Sequence, residues 1–212
     1  MKRELNIIRF RNWKTMQNVT IITGPMFAGK TSQMIELIRK FEKDHPDLNK
    51  IVIKPKSDDR YDADCIVSHN KSIYPALNAE SLMEMVPAIE KLQIQYCFID
   101  EGHFFPDIPK FLKHHYIQSI HVFIAGLDYD YKKDPFEGMK MAIDSYASTI
   151  MQLRAQCIKC KGLATYTARY DSDDKTLIRI GGTNTYFACC EACHPHTINI
   201  RYTPESPRKN KE

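Results

Sequence analysis

Apolar, β-branched runs bounded by polar stretches recur at residues 19–23, 50–54, 95–100 and 119–127. Each run is nearly continuous in its apolar character, which predicts strands covered on both faces, as in a parallel sheet. Between the runs the period lengthens to that of a helix. After residue 29, Met34, Ile35, Leu37, Ile38 and Phe41 fall on one side of a helix that should stop before His45 and Pro46. A second helix is expected to open at Ser81, where Ser81 and Glu84 have capping-box spacing, and a third at Pro106 and Asp107, with Ile108, Phe111 and Leu112 turned inward. Alternating strands and helices predict an α/β unit built on a mostly parallel sheet with helices on both faces. Beyond about residue 149 short alternating segments, a Gly-Gly pair and paired cysteines replace that rhythm. A boundary is therefore expected near residue 150, giving one unit over 18–149 and a smaller one over 150–196. Residues 1–17 and 197–212 read as flexible tails.

Composition changes this picture little. The 212 residues are 43% apolar, enough for a sizeable core, and the net charge of +4 comes mostly from the two ends. That distribution reads as solvated tails rather than a nucleic-acid surface. No apolar run is long enough to span a membrane, and no secretory leader pattern opens the chain. A cytoplasmic, reducing environment is expected, where seven cysteines point to metal or buried thiols before disulfides.

Candidate chemistry begins directly after the first run. Gly24, Pro25, Met26, Phe27, Ala28, Gly29, Lys30 and Thr31 fit the pattern of a loop whose glycines turn backbone N–H groups inward around phosphates. The following helix start adds partial positive charge, Lys30 reaches the terminal phosphates, and the Thr31 hydroxyl is placed to ligate Mg²⁺. A phosphate loop of this kind needs an acidic residue on a neighbouring strand tip. The run ending in Asp100 and Glu101 supplies it: Asp100 for the Mg²⁺ shell, Glu101 as the base that takes a proton from an attacking hydroxyl. Water or a substrate hydroxyl could be the acceptor, so an ATPase and a small-molecule kinase both fit. Asp100-Glu101-Gly102-His103 is also close to a helicase box, although a helicase normally needs two such domains.

Cys157 with Cys160 and Cys190 with Cys193 form two C-x-x-C pairs about 30 residues apart, a spacing that suits a tetrahedral, structural Zn²⁺ site. Cys189, His194 and His196 are alternative ligands. The segment between the pairs carries Lys161, Arg169, Lys175 and Arg179 against Asp171, Asp173 and Asp174, so it is not strongly basic. Its tyrosines and hydrogen-bonding groups suit enclosure of a small polar ring.

Taken together, these motifs resemble the thymidine kinases of the cellular, zinc-containing type. The resemblance covers about residues 18 to 195 and rests on the 24–31 loop, Asp58-Asp59-Arg60-Tyr61, the 99–107 segment, Ala125-Gly126-Leu127-Asp128 and the cysteine pairs. It implies a RecA-like P-loop domain followed by a zinc-ribbon and lasso domain. It also implies transfer of phosphate from ATP with Mg²⁺ to the 5′-hydroxyl of thymidine or deoxyuridine, in nucleotide salvage. The family's general base falls on Glu101 and its magnesium-linked aspartate on Asp100, while Asp58 and Arg60 join the nucleotide site. Substrate contact falls on the lasso residues Leu177, Ile178, Arg179, Ile180 and Gly181 and on Tyr186. Met26, Phe104, Leu127 and Thr167 match the base pocket, with Tyr131 in the place of a stacking phenylalanine. A homotetramer, feedback by deoxythymidine triphosphate, and no membrane or nucleic-acid partner are further expectations of the resemblance. His103 stands where the family often has Gln, and Tyr129-Asp130-Tyr131-Lys132 where Gly-Thr-Phe-Gln is commonest.

Overall fold

A computed structural model describes residues 6–9, 18–58, 64–170 and 184–195. Its centre is a seven-stranded sheet made by β1 (Asn6–Arg9), β2 (Asn18–Thr23), β3 (Lys50–Pro55), β6 (Leu77–Ala79), β7 (Tyr96–Ile99), β8 (His121–Ala125) and β9 (Thr149–Gln152). The spatial order is β1-β9-β2-β8-β7-β3-β6. The last six strands in that order run parallel, and β1 closes one edge antiparallel to β9. The chain from residue 18 onward therefore builds the expected mostly parallel α/β sheet. One detail differs from the sequence reading: residues 6–9, expected within a flexible tail, pair with the sheet, while β9 ends at Gln152, close to the expected boundary near residue 150.

Side chains alternate across the strands and divide the core in two. Ile21, Ile53, Cys97, Ile99, Val122 and Ile124 point to the face covered by α2 (Val86–Lys91), α3 (Ile108–Lys113) and α4 (Glu137–Ser145). Ile22, Val52, Phe98, Phe123 and Ala125 point to the other face, where Met34, Ile35 and Ile38 of α1 (Lys30–Asp44) lie over them. Phe98 stacks on Phe123 with ring centroids 4.8 Å apart. Each such ring or branched chain fully removed from water contributes about 1.5–3 kcal/mol, so this face firmly anchors α1 and the loop before it.

Helix starts follow local chemistry. α1 ends at Asp44, as the His45-Pro46 pair demands. The Ser81 signal is half realised: Ser81 Oγ accepts the Glu84 N–H, but the Glu84 carboxylate accepts from Glu80 N–H at 2.7 Å. The first turn there is a 3₁₀ turn, and the α-helix begins only at Val86. Asp107 sits at the start of α3, yet its Oδ2 accepts from Met83 N–H at 3.0 Å, tying the two helix starts together. A short hairpin of β4 (Cys65–Val67) and β5 (Ile73–Pro75) lies beside α1.

The C-terminal unit is built from two small antiparallel pairs, β10 (Ala155–Gln156) with β11 (Leu163–Ala164) and β12 (Tyr166–Arg169) with β13 (Tyr186–Cys189). Cys157, Ala164, Ala168, Phe187, Ala188 and Cys189 form its buried cluster. No helix among the described residues is long and apolar enough to cross a membrane.

Candidate phosphoryl-transfer site and cysteine cluster

The 24–29 loop leaves the C-terminal end of β2 and enters α1, and its glycines have separate reasons to be there. Gly24 has φ +135°, and a Cβ on it would lie 2.2 Å from the Leu153 carbonyl oxygen, so no side chain fits. Gly29 takes a left-handed conformation immediately before the helix. Phe27, at the loop tip, is also left-handed with φ 65°, an uncommon conformation for a non-glycine residue. Its ring meets His69 edge to face at 5.9 Å, and Ser32 Oγ lies 3.5 Å from Asn70 Oδ1, so the β4–β5 turn packs against the loop.

Lys30 is buried and donates from Nζ to the carbonyls of Gly24 at 3.0 Å and Pro25 at 2.9 Å. Next to it, Thr31 Oγ1 donates to Asp100 Oδ1 at 3.3 Å, which brings the helix start and the tip of β7 together. Burial, and then the neighbouring charge of Glu101, push the Asp100 carboxyl up to about 7, with Asp58 adding to the same direction. A hydroxyl and a crowded carboxylate side by side form a hard oxygen set that suits Mg²⁺, and a cation there would relieve the carboxylate crowding. Asp58 therefore lies at this cluster, whereas Arg60 falls outside the described residues.

Glu101 adopts a left-handed backbone at the strand end. Its Oε2 lies 3.5 Å from His103 Nδ1, and that same nitrogen accepts the Leu127 N–H at 3.3 Å. With Nδ1 accepting from Leu127, a neutral His103 ring carries its proton on Nε2. His103 stacks near Phe104 at 4.3 Å and Phe136 at 4.9 Å.

The loop is tied to the C-terminal unit through its backbone. Met26 N–H donates to Thr167 Oγ1 at 2.9 Å, across 141 residues of sequence. The Thr167 carbonyl oxygen lies 3.3 Å from Nε2 of the fully buried His194. One residue along β12 from Ala168, Arg169 holds its guanidinium 3.9 Å from the centre of the Tyr131 ring and pairs in register with Tyr186. Leu127, Tyr131, Thr167 and Tyr186 are all buried, and Phe104 is partly so. Leu177, Ile178, Arg179, Ile180 and Gly181 fall outside the described residues.

Two contributors had no role in the sequence reading. Asp128 is pushed above the usual carboxylate range by burial, opposed by the charge of Lys30, which locates it near the loop lysine. Arg169 looked like one of several scattered basic residues until its stacking on Tyr131 came into view. Only the position of Asp128 in the 125–128 motif signalled it.

The four cysteines Cys157, Cys160, Cys190 and Cys193 converge, with all sulfurs within 4.8 Å of one another and Cys160 Sγ 3.7 Å from Cys190 Sγ. Tetrahedral Zn²⁺ with Zn–S bonds of about 2.3 Å separates its sulfurs by about 3.8 Å, so the cluster fits that ion. Burial raises the Cys157 thiol, but backbone N–H groups of Cys160, Cys190 and Lys159 overcome it and bring it down to about 6. Cys193 is shifted the opposite way, up to about 12, first by its hydrogen bond with Cys190 and then by burial. Cys189 lies outside the group, raised to about 12 chiefly by burial, and His194 turns to Thr167 instead.

Comparison with known proteins gives a consistent picture. The thymidine kinase family model matches residues 17–194. The thymidine kinase of Pseudothermotoga lettingae is 33% identical over 178 residues, covering 83% of this chain and 94% of that protein. That of fowlpox virus is 33% identical over 179 residues, covering 83% and 96%. The human protein named cytosolic thymidine kinase is 32% identical over 181 residues, covering 85% of this chain and 74% of its own length.

Proposed function

The chain belongs to the thymidine kinase family, and from that premise we propose that it transfers the γ-phosphoryl group of Mg²⁺-bound ATP to the 5′-hydroxyl of thymidine. Deoxyuridine is accepted as well, and the monophosphate feeds deoxynucleotide salvage in the cytoplasm. The observation that carries this reading is the double tether of the phosphate loop: Thr31 to Asp100 on one side, Met26 to Thr167 on the other. A loop that only hydrolysed ATP would have no need of a link to a small, tyrosine-lined second unit.

The residues take the following parts. Loop N–H groups and Lys30 hold the phosphates, and Lys30 offsets negative charge as it shifts to the leaving ADP oxygen. Thr31 and Asp100 would hold Mg²⁺, which when bound would supply neutralisation of the charge on the transferring phosphoryl group. Glu101 accepts the proton of the 5′-hydroxyl as its oxygen attacks the γ-phosphorus. Tyr131, held by Arg169, stacks on the nucleoside ring beside Met26, Phe104, Leu127 and Tyr186. Four cysteines and Zn²⁺ hold the unit that carries Thr167. The parts read for Arg60 and for residues 177–181, a homotetrameric assembly and feedback by deoxythymidine triphosphate rest on the family resemblance.

The test is an ADP-release assay with ATP and Mg²⁺, run with thymidine, with single-stranded DNA and with neither. Thymidine-dependent release matched by thymidine monophosphate is expected. Release stimulated by DNA alone, with no monophosphate, overturns the reading.

A further inference from the structure

Parallel strands put the phosphate loop and Asp100 after the C-terminal strand ends, and a second group of metal-ligating side chains lies on the segments that precede the N-terminal ends of β7 and β8. Glu90 comes from the last turn of α2, just before the chain enters β7, and His114 and His115 follow the end of α3. One ligand atom from each comes within 4.8 Å of the other two. His114 Nδ1 and His115 Nε2 each lie 3.8 Å from the same oxygen, Glu90 Oε1. His114 Nδ1 is shielded from solvent and has no hydrogen-bond partner, since 3.8 Å is too long for one. A shielded ring nitrogen without a partner is costly unless something else satisfies it.

We propose that Glu90, His114 and His115 form a second metal site, for a borderline divalent ion such as Zn²⁺, separate from the four cysteines. Two imidazoles and one carboxylate are a ligand set of that class, and they do not suit Mg²⁺, which prefers oxygen. Ligands about 2.1 Å from a shared tetrahedral ion lie about 3.4 Å apart, so each Glu90–His separation of 3.8 Å is within a few tenths of an ångström of that spacing, and the two rings lie within 4.8 Å of each other. His115 is 84% exposed and can make the shift that remains, whereas His114 is fixed. Its backbone N–H donates to Phe111 and its carbonyl accepts from Gln118, at 3.0 and 3.1 Å. The ion would join the C-terminal ends of two helices whose starts are already tied by the Asp107–Met83 hydrogen bond. Its distance from Asp100 makes it a structural clamp rather than part of the transfer chemistry.

Protein carrying one Zn²⁺ per chain on its cysteines is titrated with Zn²⁺ and, separately, with Mg²⁺ by calorimetry, with melting followed in parallel. Wild type is expected to take up one further equivalent of Zn²⁺, to melt at a higher temperature with it, and to ignore Mg²⁺ at this site. In E90Q and in H115Q, the second an exposed change that spares the fold, affinity for that equivalent falls by at least about tenfold while cysteine-bound zinc is unchanged. No further equivalent in wild type, or an equivalent that persists unchanged in both variants, overturns the proposal.

Discussion

The two units that meet at the proposed nucleoside site are held together by different physics. The sheet unit positions Lys30, Thr31 and Asp100 from strands whose side chains fill two cores, with Phe98, Phe105 and Phe111 fully out of water. The ribbon unit positions Thr167 and Arg169 from strands of two to four residues over a buried cluster with one aromatic, Phe187. Such a cluster is too small to hold a fold alone, and the cysteines make up the difference. One half of the site depends on packing, the other on a four-cysteine cluster fit for a metal ion, and among the described residues the Met26 N–H bond to Thr167 links the 24–29 loop to the ribbon. Geometry in the ribbon should therefore be lost under conditions the sheet survives.

Metal removal is the strongest way to break the comparison. Stripping zinc with a chelator, or Cys160→Ser, is expected to abolish thymidine phosphorylation while the sheet unit keeps a cooperative melting transition. Calorimetry alongside the kinase assay checks this, and loss of both together would mean one cooperative unit. Glu101→Gln addresses the sheet side alone: kcat should fall at least ~100-fold with nucleotide affinity unchanged, as for loss of a positioned base. Near-normal turnover removes Glu101 from that role. Thr167→Val strikes the link between the halves, leaving the Met26 N–H unpaired at a cost of about 1–3 kcal/mol. Thymidine kcat/KM should drop roughly tenfold, with Thr167→Ser restoring most of it; unchanged kinetics in the valine variant would show the link to be incidental.

The smallest effect concerns the start of the central strand β8. His121, half-buried against Tyr96, is held below its ordinary 6.5 by burial and then by the charge of His45. The unfolded chain thus takes up this proton first. Stability from this group is complete above the ordinary value and is lost as pH falls from 6.5 toward the lower folded value. Melting temperature should decline between pH 7 and pH 5, and less so in His121→Asn. A slope that is identical in the two proteins assigns the decline to other groups.

What the sequence made legible was local. The glycines of the 24–29 loop, the acidic pair at 100 and 101 and the cysteine pairs each express a backbone or ligand demand within a few residues, and the long apolar strands signal themselves. The β4–β5 hairpin did not, because strands of three residues carry too little alternation. α4 was missed as well: it opens at Phe136 without a side-chain cap and carries Gly138 in its first turn. β1 lay hidden among charges, since an edge strand needs only one covered face. The Met26–Thr167 and Arg169–Tyr131 contacts join residues far apart in the chain, and no local pattern announces them.

Gly24 carries a consequence for how this site could evolve or be engineered. Because the Leu153 carbonyl occupies the space a methyl group would need, the loop's first position is fixed by its neighbour as well as by any phosphate. A substitution there displaces the chain leaving β9 together with the loop, so binding and folding fail as one and a graded loss of affinity is out of reach. Variation in nucleotide handling has to enter elsewhere: at the loop tip around Phe27, or through the β4–β5 turn that leans on it.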